Sequence, residues 1–237
     1  MNSSKIIFLG TSEFAVPSLK VLFDQKYIIQ EVVTVPAPSS LALVAQDLGL
    51  SIIQPASLRS EESLSRFNEL NPDLCIVAAY GKLIPNEYLQ KPRFGFINIH
   101  PSLLPNYRGP TPIQTAILNG DKKIGVSIML LDDEMDHGPI ITQASFLISA
   151  DETYPELHDH LAKVGARLLI SALPDWIKGN LKPTAQRHDH ATFTKKFTWS
   201  DGKINWNRPG DEIYNQIRAL NPEPGTWTNW NGKVLKI

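Results

Sequence analysis

Two polar side chains stand two residues apart inside a short apolar segment, and their types suit acid–base or oxyanion chemistry. The segment reads FINIH over residues 96–100, and the two residues are Asn98 and His100. On a strand, residues i and i+2 lie on the same face. An amide N–H donates to a developing oxyanion, and an imidazole moves a proton near neutral pH. The spacing predicts a functional pair at the end of a sheet strand, although ordinary hydrogen-bonded polar groups fit the same pattern.

A carboxylate is expected to join this pair from the acidic turn over residues 132–136, which reads DDEMD. The turn lies between two predicted strands that we expect to neighbour the strand of Asn98 and His100. A carboxylate there would orient the histidine or stabilise its cation. Ser102 lacks a G-x-S-x-G setting, and Cys75 lies within an apolar strand, so neither is an obvious nucleophile. The residues favour direct acyl transfer or hydrolysis and leave the choice between them open.

Strands and helices alternate along the part of the chain that must position these residues. This order predicts a Rossmann-like α/β fold, with a mostly parallel sheet and helices on both faces. The last two strands of the sheet, joined by a compact turn, predict an antiparallel addition at its edge. Predicted strands are 5–9, 28–34, 51–53, 73–79, 96–100, 123–131 and 140–148, and predicted helices are 13–23, 41–47, 61–70, 111–118, 154–178 and 211–220.

The end of the sequence predicts a small β-rich appendage. Asn231-Gly232 lies between two short strand-like segments in residues 227–237, which is a strong hairpin signal. His188 and His190 precede it in a polar stretch without a second cysteine or histidine pair, which favours a solvated loop over a metal site.

Composition narrows the class of protein. The 237 residues carry a net charge of −1, so no overall basic field would attract nucleic acid. One cysteine excludes an internal disulfide and fits a reducing cytoplasm. No targeting or membrane-spanning segment is apparent, so we expect a soluble cytoplasmic protein. The first predicted turn carries only Gly10 and no G-x-G-x-x-G, which argues against a dinucleotide-dependent oxidoreductase.

Several motifs, in order along nearly the whole chain, resemble the folate-dependent formyltransferases. The most specific is NIHPSLLP at residues 98–105, followed by Arg108-Gly109. The others are FLGTSEF at 8–14, AYGKLIP at 79–85, GVSIM at 125–129, MDHGPII at 135–141 and DGKINW at 201–206.

This resemblance implies a role for particular residues, with 10-formyltetrahydrofolate as the formyl donor and no metal. The catalytic residues would be Asn98, His100 and Asp136, whereas Asp132 and Asp133 would be solvated turn acids. The residues implied to line the folate site are Ser102, Leu103, Leu104 and Pro105, together with a pterin loop of Tyr80, Gly81, Lys82, Leu83 and Ile84. The residues implied to face the amino-acid acceptor are Gly10, Thr11, Ser12 and Phe14.

The resemblance also implies a domain organisation and a partner. Residues 1–182 would form the catalytic domain, 183–205 a linker, and 206–237 the start of an incomplete β-barrel-like C-terminal domain. The implied acceptor is the α-amine of methionyl-initiator tRNA. We expect a monomer, with no protein partner and no membrane association.

The sequence departs from the family at the loop after the second predicted strand. The family has a longer basic loop there, but no arginine or lysine lies between Lys26 and Arg59. The direct join of Thr34 to Val35 is typical of a segment missing from the chain as it stands, and a real deletion is the alternative. Because phosphate binding needs basic groups, we expect the chain to bind folate better than tRNA. A sugar-nucleotide N-formyltransferase, a hydrolase of the formyl donor and a non-catalytic folate-binding module remain alternatives.

Overall fold

A computed structural model describes residues 4–237, and its largest feature is a seven-stranded sheet. A separate two-stranded sheet follows near the end of the chain. The strands of the large sheet are β1 (Lys5–Gly10), β2 (Ile28–Val33), β3 (Ile52–Ile53), β4 (Leu74–Ala78), β5 (Phe96–His100), β6 (Lys123–Leu130) and β7 (Ile140–Leu147).

The strands of the large sheet lie in the order β3-β2-β1-β4-β5-β6-β7. The first five strands in that order pair in parallel, whereas β6 is antiparallel to β5 and β7 is antiparallel to β6. The predicted Rossmann-like, mostly parallel fold with an antiparallel edge is therefore confirmed. The expectation that both β6 and β7 neighbour the strand of Asn98 and His100 was wrong. β5 lies between β4 and β6, and β7 pairs with β6 only on the far side.

The burial patterns of the strands follow their places in the sheet. β4 is buried at every residue, as expected for a central parallel strand covered by helices on both faces. β7 alternates between more and less buried residues because it is an edge strand with one face turned to solvent. Leu147 at its end is 75% exposed.

Helices cover both faces of the sheet, and an apolar core lies on each. Phe96 belongs to one core cluster and Ile97 and Ile99 to the other, so β5 separates the two. The helices are α1 (Val16–Asp24), α2 (Ser40–Asp47), α3 (Glu61–Leu70), α4 (Asn86–Leu89), α5 (Pro112–Leu118), α6 (Tyr154–Ile177) and α7 (Gly210–Leu220).

Two local features differ from the sequence prediction. The helix expected from residue 13 begins as a 3-10 turn over Glu13–Ala15 and becomes α-helical only at Val16. The single-turn helix α4 was not predicted, because four residues are too few to show a helical period.

A capping box in the first turn fixes where the long helix α6 begins, and an apolar stripe determines which of its faces is buried. The Thr153 backbone N–H donates to Glu156 Oε2 at 2.9 Å in a capping box that satisfies the free N–H groups of the first turn. Small and apolar residues on one face, from Leu157 to Leu173, are buried against the sheet. No helix within residues 4–237 is long and apolar enough to cross a membrane.

The predicted hairpin near the end of the chain is also present. It consists of β8 (Trp227–Trp230) and β9 (Lys233–Lys236), paired antiparallel with Trp230 opposite Lys233. Asn231 and Gly232 have φ of 47° and 75°. Positive φ at both turn residues is what a two-residue hairpin turn of this twist requires, and asparagine and glycine tolerate it best.

Candidate active site

β5 brings Asn98 and His100 to the same face of the sheet, at the carboxyl end of the strand. Asn98 lies opposite Met129 of β6, and His100 lies opposite Ser127. His100 is buried, with 4% of its surface exposed, whereas Asn98 is half-buried. Because the strand is held between two neighbours, both side chains start from a rigid backbone.

Asp136 reaches this pair from the connection between β6 and β7. Its Oδ1 lies 3.4 Å from Asn98 Nδ2 and 3.5 Å from His100 Nδ1. Its Oδ2 accepts a 2.8 Å hydrogen bond from the backbone N–H of Gly109. The structure therefore brings together the amide, the imidazole and the carboxylate that the sequence predicted to act together.

The acids beside Asp136 have different surroundings. Asp133 is exposed, as expected of a turn acid. Asp132 was also expected to be solvated; its side chain is 30% exposed, and its Oδ2 lies 2.7 Å from His137 Nδ1. The sequence did not indicate this contact with His137, which lies five residues further along the chain.

Hydrogen bonding distinguishes the two nitrogens of His100. Nε2 lies 3.0 Å from the backbone oxygen of Tyr107. A carbonyl oxygen only accepts, so Nε2 carries a proton and donates it there. Nδ1 is the nitrogen that faces Asp136, 3.5 Å from its Oδ1.

The side chains near this group supply no nucleophile for a covalent intermediate. The Ser102 hydroxyl is buried and donates to the backbone oxygen of Asn106 at 2.6 Å. Burial raises the pKa of the Cys75 thiol well above its usual value, which suppresses the thiolate. The arrangement therefore suits stabilisation of an oxyanion and direct transfer to an external nucleophile.

One residue after β5, a segment that is hydrogen-bonded to β6 and β7 begins; it consists of Ser102, Leu103, Leu104 and Pro105. The Ser127 hydroxyl donates to the backbone oxygen of Ser102 at 2.6 Å, and the Leu104 N–H donates back to it at 3.1 Å. Gln143 Nε2 donates to the Leu104 oxygen at 3.0 Å. This segment forms a stiff wall beside His100.

The loop of residues 80–84 follows β4 at the same edge of the sheet. The ring of Tyr80 packs into a core cluster, and burial raises the pKa of its hydroxyl. Gly81, Lys82 and Leu83 are exposed, and Ile84 is half-buried. Within residues 4–237, the backbone groups of these three exposed residues have no hydrogen-bond partner. They remain available to a ligand, whereas the Tyr80 ring is occupied by packing.

The loop after β1 meets the loop after β4, because parallel strands end at the same edge of a sheet. The Thr11 hydroxyl donates to the backbone oxygen of Tyr80 at 3.2 Å. Gly10 is packed so tightly that a Cβ atom would lie 2.8 Å from the Ala78 oxygen. Ser12 is exposed, whereas Phe14 is buried with its ring 5.5 Å from that of His158. Of the residues predicted to face the acceptor, Ser12 and Thr11 are thus the accessible ones.

Two residues at the site were given no role from the sequence. Arg108 is buried beside Gly109, and it donates to the side-chain oxygen of Gln186, 78 residues further along the chain. Gln186 in turn donates to the backbone oxygens of Asp136 and Gly138. Arg108 stood in a recognised motif, but no local pattern marks Gln186, because its partners are all distant in sequence.

His188 and His190 lie on an exposed 3-10 turn over His188–His190, in keeping with the predicted solvated stretch. His188 nevertheless stacks on His137, with ring centroids 4.0 Å apart. No group of histidine, cysteine or acidic side chains within residues 4–237 is arranged to hold a metal ion.

Comparisons with known proteins add a family context. A profile of the family described as Formyl transferase matches residues 13–173, and one described as Formyl transferase, C-terminal domain, matches residues 196–237. The methionyl-tRNA formyltransferase of Caldanaerobacter subterraneus subsp. tengcongensis is 42% identical over 244 residues, which cover 98% of this chain and 79% of that protein. The methionyl-tRNA formyltransferase of Halalkalibacterium halodurans is 40% identical over 243 residues, covering 98% and 77%.

These aligned lengths exceed the 237 residues of the chain, so each alignment includes positions at which this chain has no residue.

Among solved structures, an N-formyltransferase from Helicobacter canadensis in complex with folinic acid and dTDP-3-aminofucose superposes with a TM-score of 0.78. It is 22% identical, and the match covers 99% of this chain and 87% of that one. At that identity the likeness supports the fold.

Proposed function

The chain belongs to the formyl transferase family, and we propose that it transfers a formyl group from 10-formyltetrahydrofolate to the α-amine of methionyl-initiator tRNA. The observation that carries this proposal is the convergence of Asn98, His100 and Asp136 in a chain whose relatives of 40% and 42% identity bear that activity in their names. A cytoplasmic location and a monomeric state belong to the same proposal.

In the proposed reaction, the amine of the acceptor attacks the formyl carbon directly. The formyl oxygen gains negative charge in the tetrahedral intermediate, and Asn98 Nδ2 and a protonated His100 Nδ1 donate to it. Asp136 lies beside both donors and stabilises the imidazolium by its charge. The Asp136 carboxylate accepts the proton that the amine loses, because the imidazolium has no free lone pair, and this proton is then passed to the tetrahydrofolate nitrogen as it leaves.

The proposed folate site lies at the edge of the sheet where β4 and β5 end. The pterin ring presents several hydrogen-bond donors and acceptors along one edge. The unpaired backbone groups of Gly81, Lys82 and Leu83 suit such an edge. The stiff segment from Ser102 to Pro105 would then line the donor beside His100.

The acceptor is the part of the proposal with a competing candidate. The Helicobacter canadensis enzyme, which shares the fold, was solved with a nucleotide-linked amino sugar. The chain also has a short connection between β2 and α2 without basic residues, and a net charge of −1. An amino-sugar nucleotide carries fewer phosphate groups than a tRNA, so its binding needs fewer basic side chains on the protein surface. It is therefore the second acceptor to be tested.

The test is to incubate the protein with 10-formyltetrahydrofolate and, in parallel, methionyl-initiator tRNA, a dTDP-linked amino sugar or no acceptor. Products are identified by mass spectrometry, and tetrahydrofolate release is followed by absorbance. We expect formylmethionyl-tRNA, formed most rapidly at low salt because phosphate contacts weaken as salt rises. If only the amino sugar is formylated, it is the acceptor and methionyl-initiator tRNA is not. If formate is released without any acceptor, the protein is a hydrolase of 10-formyltetrahydrofolate and not a transferase.

A further inference from the structure

We propose that Gln186 is a positioning residue for Asp136, a role that rests on the proposed formyl transfer through Asp136. Gln186 Nε2 donates to the backbone oxygen of Asp136 at 2.9 Å and to that of Gly138 at 2.7 Å. One amide group thus holds the main chain on both sides of His137 and fixes the backbone from which the carboxylate projects.

Arg108 determines which end of the Gln186 amide faces Asp136. Its Nε and Nη2 donate to Gln186 Oε1 at 3.1 and 2.7 Å. A guanidinium group has only donors, so the amide oxygen must face Arg108 and the NH₂ group must face the two carbonyls. Both side chains are buried, with 3% of Arg108 and 5% of Gln186 exposed, so water does not compete for these bonds.

The backbone of Asp136 needs such a restraint. Its φ is 51°, in the left-handed region that L-residues rarely adopt. Gln186 holds its backbone oxygen, and the Gly109 N–H and Asn98 Nδ2 hold its carboxylate oxygens. If the contact with Gln186 is lost, the residue is free to relax toward a common conformation, and the carboxylate moves away from His100.

The position of Gln186 is itself set by the sheet. Two residues earlier, Thr184 pairs with Ile140 at the start of β7 through two 2.8 Å backbone hydrogen bonds. This short antiparallel pairing fixes the register of residues 184–186 against the strand that follows Asp136. Gln186 therefore projects from a rigid support.

Substitution of Gln186 by glutamate gives a sharp test, because Gln186→Glu keeps the size and the acceptor for Arg108 but removes the N–H donor. A carboxylate oxygen would then face the two carbonyl oxygens. We expect kcat for formyl transfer to fall about 10- to 100-fold, since small displacements of a catalytic group have effects of this size. The KM for 10-formyltetrahydrofolate should stay within about twofold, because Gln186 contacts no residue of the proposed folate site.

The matched control is Gln216→Glu. Gln216 is also buried, and its Nε2 donates to the backbone oxygens of Asp201 and Lys203 at 2.8 and 3.2 Å. The control suffers the same chemical change away from the site, so its melting temperature should fall while kcat stays unchanged. Should Gln186→Glu fail to fold, Gln186→Leu removes the donor without adding charge and carries the same expectation.

A second readout does not depend on activity. The Gly109 amide proton donates to Asp136 Oδ2, so its NMR resonance should move upfield in Gln186→Glu and remain in place in Gln216→Glu. An unmoved Gly109 resonance or an unchanged kcat in both Gln186 variants would overturn the positioning role. If the wild-type protein transfers no formyl group, the proposed function fails, and the Gly109 resonance still decides whether Gln186 positions Asp136.

Discussion

Asp136 is the residue on which the geometry of the candidate site depends most. One carboxylate oxygen faces Asn98 and His100, and the other is held by the Gly109 N–H. The backbone oxygen of Tyr107, two residues before Gly109, accepts from His100 Nε2. The same short segment therefore orients both the carboxylate and the imidazole, and Asn98 faces them from the strand.

Under the proposed mechanism, Asn98→Ala and His100→Ala should each lower the rate of the chemical step by about 100-fold or more, because each removes a proposed donor to the oxyanion. Single-turnover rates at saturating 10-formyltetrahydrofolate measure that step. Asn180→Ala serves as the control, since within residues 4–237 the hydrogen bonds of Asn180 go to Asp175 at the end of α6. Wild-type rates in either site variant would remove that residue from the proposed mechanism.

At the scale of elements, α6 supports the strand that carries the site from behind. Asn98 and His100 face the site, so Ile99 between them faces the opposite way and packs into the core beneath α6. Gly165 of α6 lies directly over Ile99: a Cβ atom there would be 2.7 Å from Ile99 Cγ2. The absence of a side chain at Gly165 lets the helix approach β5 closely.

Gly165→Ala should destabilise the protein by up to about 2 kcal/mol, because adding a methyl group to a full core costs about 1–3 kcal/mol and alanine regains about 1 kcal/mol over glycine in a helix. The matched change Gly210→Ala in α7 has open space around it and no positive φ, so it should stabilise by about 0.4–1 kcal/mol. Urea unfolding of both variants measures the difference. Equal stabilisation in the two would show that α6 does not press on β5.

At the scale of the whole molecule, the segment after α6 ties the end of the chain back to the site. It pairs with β7 at Thr184, and the Tyr107 N–H donates to Thr192 Oγ1 at 2.8 Å. Phe193 pairs with Arg108, and the Thr194 N–H donates to the Arg108 oxygen at 2.8 Å. The stretch proposed as a linker over residues 183–205 thus also forms the outer support of residues 107–109.

A second molecule-wide property is stability at alkaline pH. Burial, with Glu87 and Tyr80 adding to it, raises the pKa of Tyr88 to about 12, and burial together with a hydrogen bond to Asp121 raises the pKa of Tyr107 to about 12. An unfolded tyrosine has a pKa of about 10. Between these values the unfolded chain loses protons that the folded chain keeps, so the free energy of unfolding should fall as pH rises from about 10 to about 12.

Tyr88→Phe isolates one of these groups. Near pH 7 it should lose about 1 kcal/mol, because the Tyr88 hydroxyl donates to the Leu58 oxygen at 2.6 Å. Above pH 10 its free energy of unfolding should decline less steeply than that of the wild type. Gln54→Ala, which loses hydrogen bonds but no titrating group, should keep the wild-type slope. Parallel slopes for Tyr88→Phe and wild type would contradict the prediction.

Local patterns in the sequence determined most of the elements and part of the site. Buried strands such as β4 are continuous apolar runs in the sequence, the helix α6 was predicted over residues 154–178, and Asn231-Gly232 indicated the hairpin turn. Asn98 and His100 shared a face because the side-chain period of a strand is two residues. Each of these features depends on residues close together in sequence, where a pattern is visible.

Only the tertiary structure decided which distant groups meet. It brought Asp132 to His137, placed the Tyr80 ring in the core, and joined Arg108 and Gln186 across 78 residues. The side-chain types alone carry no information on these contacts, because they follow from strand order and from the return of the chain after α6. Composition and spacing thus specified the chemical groups, and packing of the sheet, the helix and the returning segment determined their distances and orientation.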